Sequence, residues 1–192
     1  MNIVLIGYRG SGKSATGRLL AEELGWAYVD TDTLIEQRCG MTIRDLFADH
    51  AEEGFREAEG RVVAEVADLD RHVVSTGGGV VLRPDNGPAL KRTGKLVWLA
   101  APPEVLWERI KADTQRLNHR PSADPNHGLQ DVRSVLRQRE PLYAGWADFV
   151  VDTANQSPEA VAAEIIGRLQ LPRQRPTPHP LAPARQSPHV AR

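Results

Sequence analysis

The sequence predicts an α/β fold, a parallel five-stranded sheet covered by helices on both faces, and three observations carry that expectation. Short apolar runs such as Ile3-Val4-Leu5-Ile6, Val73-Val74 and Leu96-Val97-Trp98-Leu99 have the length and composition of buried strands. Between them lie longer stretches whose apolar residues recur at helical spacing. The first run also passes directly into Gly7-Tyr8-Arg9-Gly10-Ser11-Gly12-Lys13-Ser14, which fits G-x-x-x-x-G-K-[ST]. That pattern belongs at a strand-to-helix junction, where a glycine-rich backbone curls its N–H groups around a phosphate chain.

Taken in order, Asn2 to Ile6 is a fully buried strand. A helix follows the loop with Leu19, Leu20 and Leu24 on one face, and Gly25 stops it. Trp26 to Val29 forms a second strand that ends in Asp30-Thr31-Asp32. Thr31 or Asp32 is expected to cap the next helix, Leu34 to Arg38. Gly40-Met41 breaks that helix, and Thr42 caps a helical stretch through Leu46 and Phe47. Glu52 to about Leu69 is helical again, with Phe55, Val62, Val63 and Val66 on one side.

His72 to Ser75 is a third strand, followed by Thr76-Gly77-Gly78-Gly79. Pro84 to Arg92 suggests a helix, and Lys95 to Leu99 a fourth strand. Pro102 and Pro103 suit a helix start, opening a helix from Glu104 to about Ala112. The polar segment from about 113 to 128 carries Pro121 and Pro125, and a loop that long in a compact domain is usually functional, such as a lid. Leu129 to about Tyr143 returns to helical spacing, Asp148 to Val151 is a fifth strand, and Pro158 to Leu169 closes with a helix. One domain over 1–170 is expected. Residues 171–192 hold six prolines, four arginines and no acid, and read as a disordered tail.

With 41% hydrophobic and 26% charged residues in 192, the chain has the composition of an ordinary globular protein. A formal net charge of -1 gives no general argument for nucleic acid or an anionic membrane as partner. No apolar run approaches the roughly 20 residues of a membrane helix, and no leader with a cleavage site is visible. The single cysteine, Cys39, rules out an internal disulfide and reads as a small buried or half-buried apolar residue in a reducing compartment. A cytoplasmic protein is expected.

Ligands of an open parallel sheet gather beyond the carboxyl ends of its strands. The segments just past the first three strands therefore make up one candidate site: the phosphate loop, then Asp30 and Asp32, then Gly77, Gly78 and Gly79. In the loop, Gly10, Ser11, Gly12 and Ala15 offer backbone N–H groups, Lys13 reaches the phosphates, and the Ser14 hydroxyl suits Mg²⁺. Asp30 could orient the water shell of the metal, and Asp32 could accept a proton from a substrate hydroxyl. Three consecutive glycines imply close approach of a ligand to the backbone. Arg56 has Glu59 three residues on, within pairing reach on a helix. Arg120 lies in the candidate lid, from which closure could bring it onto a transferring phosphoryl group. Arg139 sits toward the end of the next helix.

Together these features resemble shikimate kinase. The residues that carry the likeness are Gly7 to Ser14, Asp30-Thr31-Asp32, Gly54-Phe55-Arg56-Glu57-Ala58-Glu59, Ser75-Thr76-Gly77-Gly78-Gly79, Arg120-Pro121 and Arg139-Glu140-Pro141-Leu142-Tyr143. They keep the family's order from Met1 to Leu169. The resemblance implies a P-loop kinase fold of the nucleoside-monophosphate-kinase type, with strand order 2-3-1-4-5. It implies transfer of the ATP γ-phosphoryl group to the 3-hydroxyl of shikimate, with one Mg²⁺, on the route to chorismate and the aromatic amino acids. A monomer acting on ATP and shikimate is expected, with no nucleic acid or membrane partner. By motif, Lys13 and Arg120 stabilise the transferred phosphate, Ser14 and Asp30 serve the metal, and Asp32 holds the shikimate hydroxyls and acts as base. Arg56 and Arg139 clamp the carboxylate, Glu59 buttresses Arg56, and the Gly78 and Gly79 backbone contacts the substrate.

The chain departs from the family pattern in places. Asp113 precedes Thr114-Gln115-Arg116 where an arginine often stacks on adenine, leaving Lys111, Arg116 or no cationic group to hold the base. Ser122-Ala123 replaces the leucines that usually come after the lid Arg-Pro, and Ala51 stands where glycine is common. Asn155 and Gln156 occupy a region where some members offer an arginine. Two other readings remain open on the residues alone: a same-fold kinase for gluconate or a nucleotide, and a non-catalytic nucleotide-gated binding module.

Overall fold

A computed structural model describes residues 1–116 and 128–173 of the chain. The strands are β1 (Asn2–Ile6), β2 (Ala27–Asp30), β3 (His72–Ser75), β4 (Gly94–Ala100) and β5 (Phe149–Asp152). The helices are α1 (Lys13–Leu24), α2 (Thr31–Cys39), α3 (Ile43–Ala67), α4 (Asn86–Lys91), α5 (Pro103–Arg116), α6 (Leu129–Trp146) and α7 (Pro158–Leu169). A 3₁₀ turn, Val80–Leu82, comes directly after the triple glycine. All strands are parallel in the order β2-β3-β1-β4-β5, as the family resemblance implied.

β1 is central because it is apolar on both faces, which only an interior strand with helices above and below can bury. Its alternate residues serve different layers. Val4 and Ile6 pack with Ile35, Phe55, Val62, Val63, Leu90 and Tyr143, beneath α2, α3, α4 and α6. Ile3 and Leu5 pack with Leu20, Leu24, Val161, Ile165 and Ile166, beneath α1 and α7. At about 25 cal/mol per Å² of apolar surface, this two-sided burial is the main stabilising contribution. Leu171 packs against the second layer and Arg173 pairs with Glu23.

Helix ends obey local capping chemistry, with one correction. The cap of α2 is Asp30, not Thr31 or Asp32: its Oδ1 accepts from the Asp32 and Thr33 N–H groups at 3.1 and 3.4 Å. All three residues are good caps, and the choice falls to Asp30 because it is the last residue paired to β3, opposite Ser75. Thr31 is instead buried, and its hydroxyl accepts from the Gly77 N–H at 3.1 Å.

The two helical stretches expected around 43–47 and 52–69 are one element broken by a kink. Ala51 sits at φ 54°, ψ -170°, outside the helical region and in territory that favours glycine. The halves are held together by Phe47 and Phe55, whose rings stack at 4.6 Å across the break. α5 runs on to Arg116, so the first residues of the segment read as a lid belong to a helix. The remainder of that segment, 117–127, and the tail from 174 lie outside the described residues. No described helix is long and apolar enough to cross a membrane.

Candidate active site

The carboxyl ends of β1, β2 and β3 bring the expected residues to one edge of the sheet. The phosphate loop leaves β1 at Gly7, and Gly12 forms the N-terminus of α1 with φ 92°. No side chain caps this helix, whereas Asp30, Thr42 and Ser157 cap α2, α3 and α7. Unclaimed N–H groups and the positive end of the helix dipole therefore face the cleft, which is what a phosphate chain requires.

Lys13 is folded back over this loop. Its Nζ donates to the carbonyls of Gly7 and Tyr8, both at 2.9 Å, and reaches Ser11 Oγ at 3.5 Å. Only 8% of the residue is exposed. Burial lowers its pKa to about 8, although the nearby charges of Asp32 and Asp30 favour the ammonium. The exposed Ser14 hydroxyl donates to Asp30 Oδ2 at 3.1 Å, and the Tyr28 hydroxyl donates to the same oxygen at 3.1 Å. Asp30 is thus fixed from four sides with one oxygen facing the serine.

Each of the three glycines makes room for a different neighbour. A Cβ on Gly77 would stand 2.6 Å from Asp32 Oδ1 and 3.4 Å from Glu59 Oε1. One on Gly78 would press on the phosphate loop, 3.3 Å from the Arg9 N–H nitrogen. One on Gly79 would meet Arg56 Nη1 at 2.5 Å. The turn is side-chain-free because two acidic residues, a loop and a guanidinium all converge on it.

Arg56 is built into place. Its Nη1 donates to Glu59 Oε2 at 2.8 Å, and its Nη2 and Nε donate to Glu52 Oε1 at 3.1 and 3.3 Å. Glu59 is 1% exposed, and burial raises its pKa against the opposing pull of Arg56. Its other oxygen, Oε1, has no hydrogen-bond partner among the described residues and looks toward Gly77. A buried acceptor without a donor costs about 1–3 kcal/mol, so this oxygen is suited to a ligand hydroxyl or a water.

Across the turn, Arg139 Nη1 donates to the Gly78 carbonyl at 3.0 Å. Tyr143, one helical turn further along α6, donates its hydroxyl to the same carbonyl. Tyr143 is fully buried, stacks on Trp98 at 5.7 Å, and burial pushes its pKa up to about 12. It therefore remains a neutral donor throughout the working pH range.

The structure thus assembles Gly10, Ser11, Gly12, Lys13, Ser14, Ala15, Asp30, Asp32, Arg56, Glu59, Gly77, Gly78, Gly79 and Arg139 around one cleft edge. Arg120 lies outside the described residues. Lys111, one candidate for adenine, pairs with Glu108 at 2.7 Å and lies 5.7 Å over the Trp107 ring. Sequence reasoning gave no role to Tyr143, although its i, i+4 spacing from Arg139 places both on one helix face. It also missed Arg109 of α5, whose Nη1 donates to Thr153 Oγ1 at 3.0 Å and to the Gly10 carbonyl at 3.4 Å, and whose Nη2 donates to the Thr153 carbonyl. Nothing in its sequence neighbourhood signals a contact with the phosphate loop. Among the described residues, no three or more His, Cys, Asp or Glu side chains converge as a metal cage.

The chain as a whole is similar to known proteins. The shikimate kinase family model matches residues 9–170. The chain is 48% identical over 170 residues to a shikimate kinase of Symbiobacterium thermophilum, covering 88% of this chain and 97% of that one. It is 45% identical over 166 residues to a shikimate kinase of Moorella thermoacetica, covering 85% and 91% respectively. A solved shikimate kinase from Acinetobacter baumannii in complex with shikimate superposes with a TM-score of 0.81 at 34% identity, covering 88% of this chain and 92% of that one. With the phosphate loop, paired arginines and triple-glycine turn all in one cleft, the chain belongs to the shikimate kinase family.

Proposed function

We propose that this cleft transfers the γ-phosphoryl group of ATP to the 3-hydroxyl of shikimate, with the donor on the phosphate loop and the acceptor between Arg56 and Arg139. The observation that supports it most is the arrangement of two guanidinium groups at a side-chain-free turn beside an uncapped helix N-terminus. Forked donors suit a planar carboxylate, and the helix end suits a phosphate chain. Shikimate carries a carboxylate at one end and hydroxyls at the other, so it spans from the arginines to Asp32.

The chain's own groups divide the work. Arg56, buttressed by Glu52 and Glu59, and Arg139 bind the carboxylate. Asp32 and the unpartnered Oε1 of Glu59 accept from the shikimate hydroxyls. As the 3-oxygen bonds to the γ-phosphorus, its proton passes to Asp32, and the bond from γ-phosphorus to the β,γ-bridging oxygen breaks to release ADP. Lys13 leaves the Gly7 and Tyr8 carbonyls for the β- and γ-phosphates, and Arg120 adds positive charge to the transferred group. Ser14 and Asp30, two oxygen donors 3.1 Å apart, fit one Mg²⁺, which supplies charge neutralisation at the phosphates. Positioning and fixed charge account for most of the catalysis. We also propose a monomer acting on ATP and shikimate, and a cytoplasmic setting, which the single cysteine, Cys39, suits because it needs no disulfide.

The test is ADP release coupled to a reporter, with ATP, Mg²⁺ and a panel of shikimate, gluconate and a nucleoside monophosphate. Turnover with shikimate well above the water background, and far above the other acceptors, is expected. Preference for another acceptor would move the chain to the gluconate or nucleotide reading. ATP binding without turnover on any acceptor would leave only a binding module.

A further inference from the structure

Tyr8 lies inside the phosphate loop, where the motif leaves the residue type open, yet its backbone and its ring face opposite halves of the cleft. The backbone belongs to the donor half. Its carbonyl accepts from Lys13 Nζ at 2.9 Å and from the Ser11 N–H at 3.2 Å. The ring belongs to the acceptor half. The Arg139 guanidinium carbon stands 5.9 Å from the ring centroid, while the ring packs against Leu106, Val132 and Leu136 of α5 and α6.

These contacts close a circuit. Arg139 donates to the Gly78 carbonyl, and a Cβ on Gly78 would stand 3.7 Å from the Tyr8 carbonyl carbon. Loop, triple-glycine turn and α6 are thereby pinned to one another, and Tyr8 takes part with both its side chain and its backbone.

We propose that Tyr8 is a positioning residue that aims Arg139 at the acceptor carboxylate and couples that aim to the state of the phosphate loop. Its ring offers the Arg139 guanidinium a π face 5.9 Å away, which restrains the fork in addition to its contact with the Gly78 turn. When Lys13 leaves the Tyr8 carbonyl for a triphosphate, the backbone of Tyr8 loses one of its two tethers, and the change is passed through the ring to Arg139. The inference rests on the assignment of Arg139 to the acceptor.

The experiment uses the full chain, with KM for shikimate and for ATP measured separately. Tyr8→Leu keeps apolar packing and removes the π face; it is expected to raise the shikimate KM about 5-fold to 20-fold while leaving the ATP KM within about 2-fold. Tyr8→Phe keeps the face and is expected to stay within about 2-fold of the parent in both. In the Tyr8→Leu, Arg139→Ala double variant, the shikimate KM should match that of Arg139→Ala alone, because the ring then has nothing to aim. Should Tyr8→Leu unfold, Tyr8→Met takes its place, with thermal unfolding as the check. The proposal is overturned if the leucine or methionine variant leaves the shikimate KM within about 2-fold, if both KM values rise together, or if phenylalanine fails to rescue. Should Arg139→Ala itself leave the shikimate KM unchanged, the assignment of Arg139 to the acceptor fails first.

Discussion

The proposed donor and acceptor halves of the cleft are built in opposite ways. The donor half is one continuous segment, Gly7 to Ser14, whose binding groups are backbone N–H groups and one lysine. The acceptor half draws single side chains from α2, α3 and α6 and meets them with a turn at the end of β3. Local chain geometry makes the first; packing of distant elements makes the second. The difference implies that changes to the loop backbone or Lys13 act on both substrates through the phosphate, whereas changes to side chains that face the acceptor, the Tyr8 ring included, can be selective for shikimate.

Lys13→Met is the harshest test of that contrast. Loss of the loop ammonium should lower kcat by about 10³-fold, since it removes charge stabilisation at the transferred group. Steady-state kinetics with saturating substrates reads it directly. A loss below about 10-fold would show that the loop backbone suffices and that the lysine is structural.

The pH dependence of ATP binding comes next. Free Lys13 titrates at about 8, and a bound triphosphate raises that value by favouring the ammonium. Above about pH 8 the free protein has lost a proton that the complex retains, so binding takes up a proton and ATP affinity falls. The fall approaches about 10-fold per pH unit until the pKa of the complex is reached. Titration calorimetry about one pH unit below and one above that value, in two buffers of different ionisation heat, measures both affinity and proton uptake. Lys13→Arg keeps its charge and should flatten the slope.

Gly79→Ala probes the acceptor half alone. Its methyl would meet Arg56 Nη1 at 2.5 Å, and the guanidinium must leave its seat between Glu52 and Glu59. A shikimate KM about 10-fold higher, with the ATP KM unchanged, is expected from the weakening of one charge-assisted contact. Equal effects on the two KM values would break the division between the halves.

Ala51→Gly should have the smallest effect. Relief of the φ 54° conformation, less the extra chain entropy of glycine, leaves about 1 kcal/mol of stabilisation, or a rise of a few degrees in Tm. No rise would mean that the kink is supported by its surroundings, such as the Phe47 and Phe55 stack.

The same contrast governs what the sequence revealed. The phosphate loop was legible because its chemistry is written in consecutive residues, Gly7 to Ser14. The strands were legible because two-sided burial makes them continuously apolar. Asp32 was placed by its position past the second strand, whereas Arg56, Glu59 and Arg139 took their roles from the family resemblance, since no short-range pattern tells a guanidinium at a cleft from one on a surface. The α2 cap was misassigned because Asp30-Thr31-Asp32 offers three capping side chains in a row, and strand pairing decides among them. The break near Ala51 was legible as the gap between two helical stretches, although alanine itself, the strongest helix former, gives no sign of the conformation it adopts there. Arg109 binds backbone carbonyls of segments far from it in sequence, and carbonyls carry no residue code.

The sheet order also sets a timetable for synthesis. β1 is made first, yet its two neighbours are β3 and β4, and β4 ends only at Ala100. At about 5–20 residues per second, a ribosome takes roughly 5–20 s to go from the end of β1 to the end of β4. Until β3 is made Ile3 to Ile6 has neither neighbour in the nascent chain, and until β4 is made it has only one. The segment that specifies the phosphate loop is therefore translated early but gains its shape late, when the middle of the polypeptide arrives to enclose it.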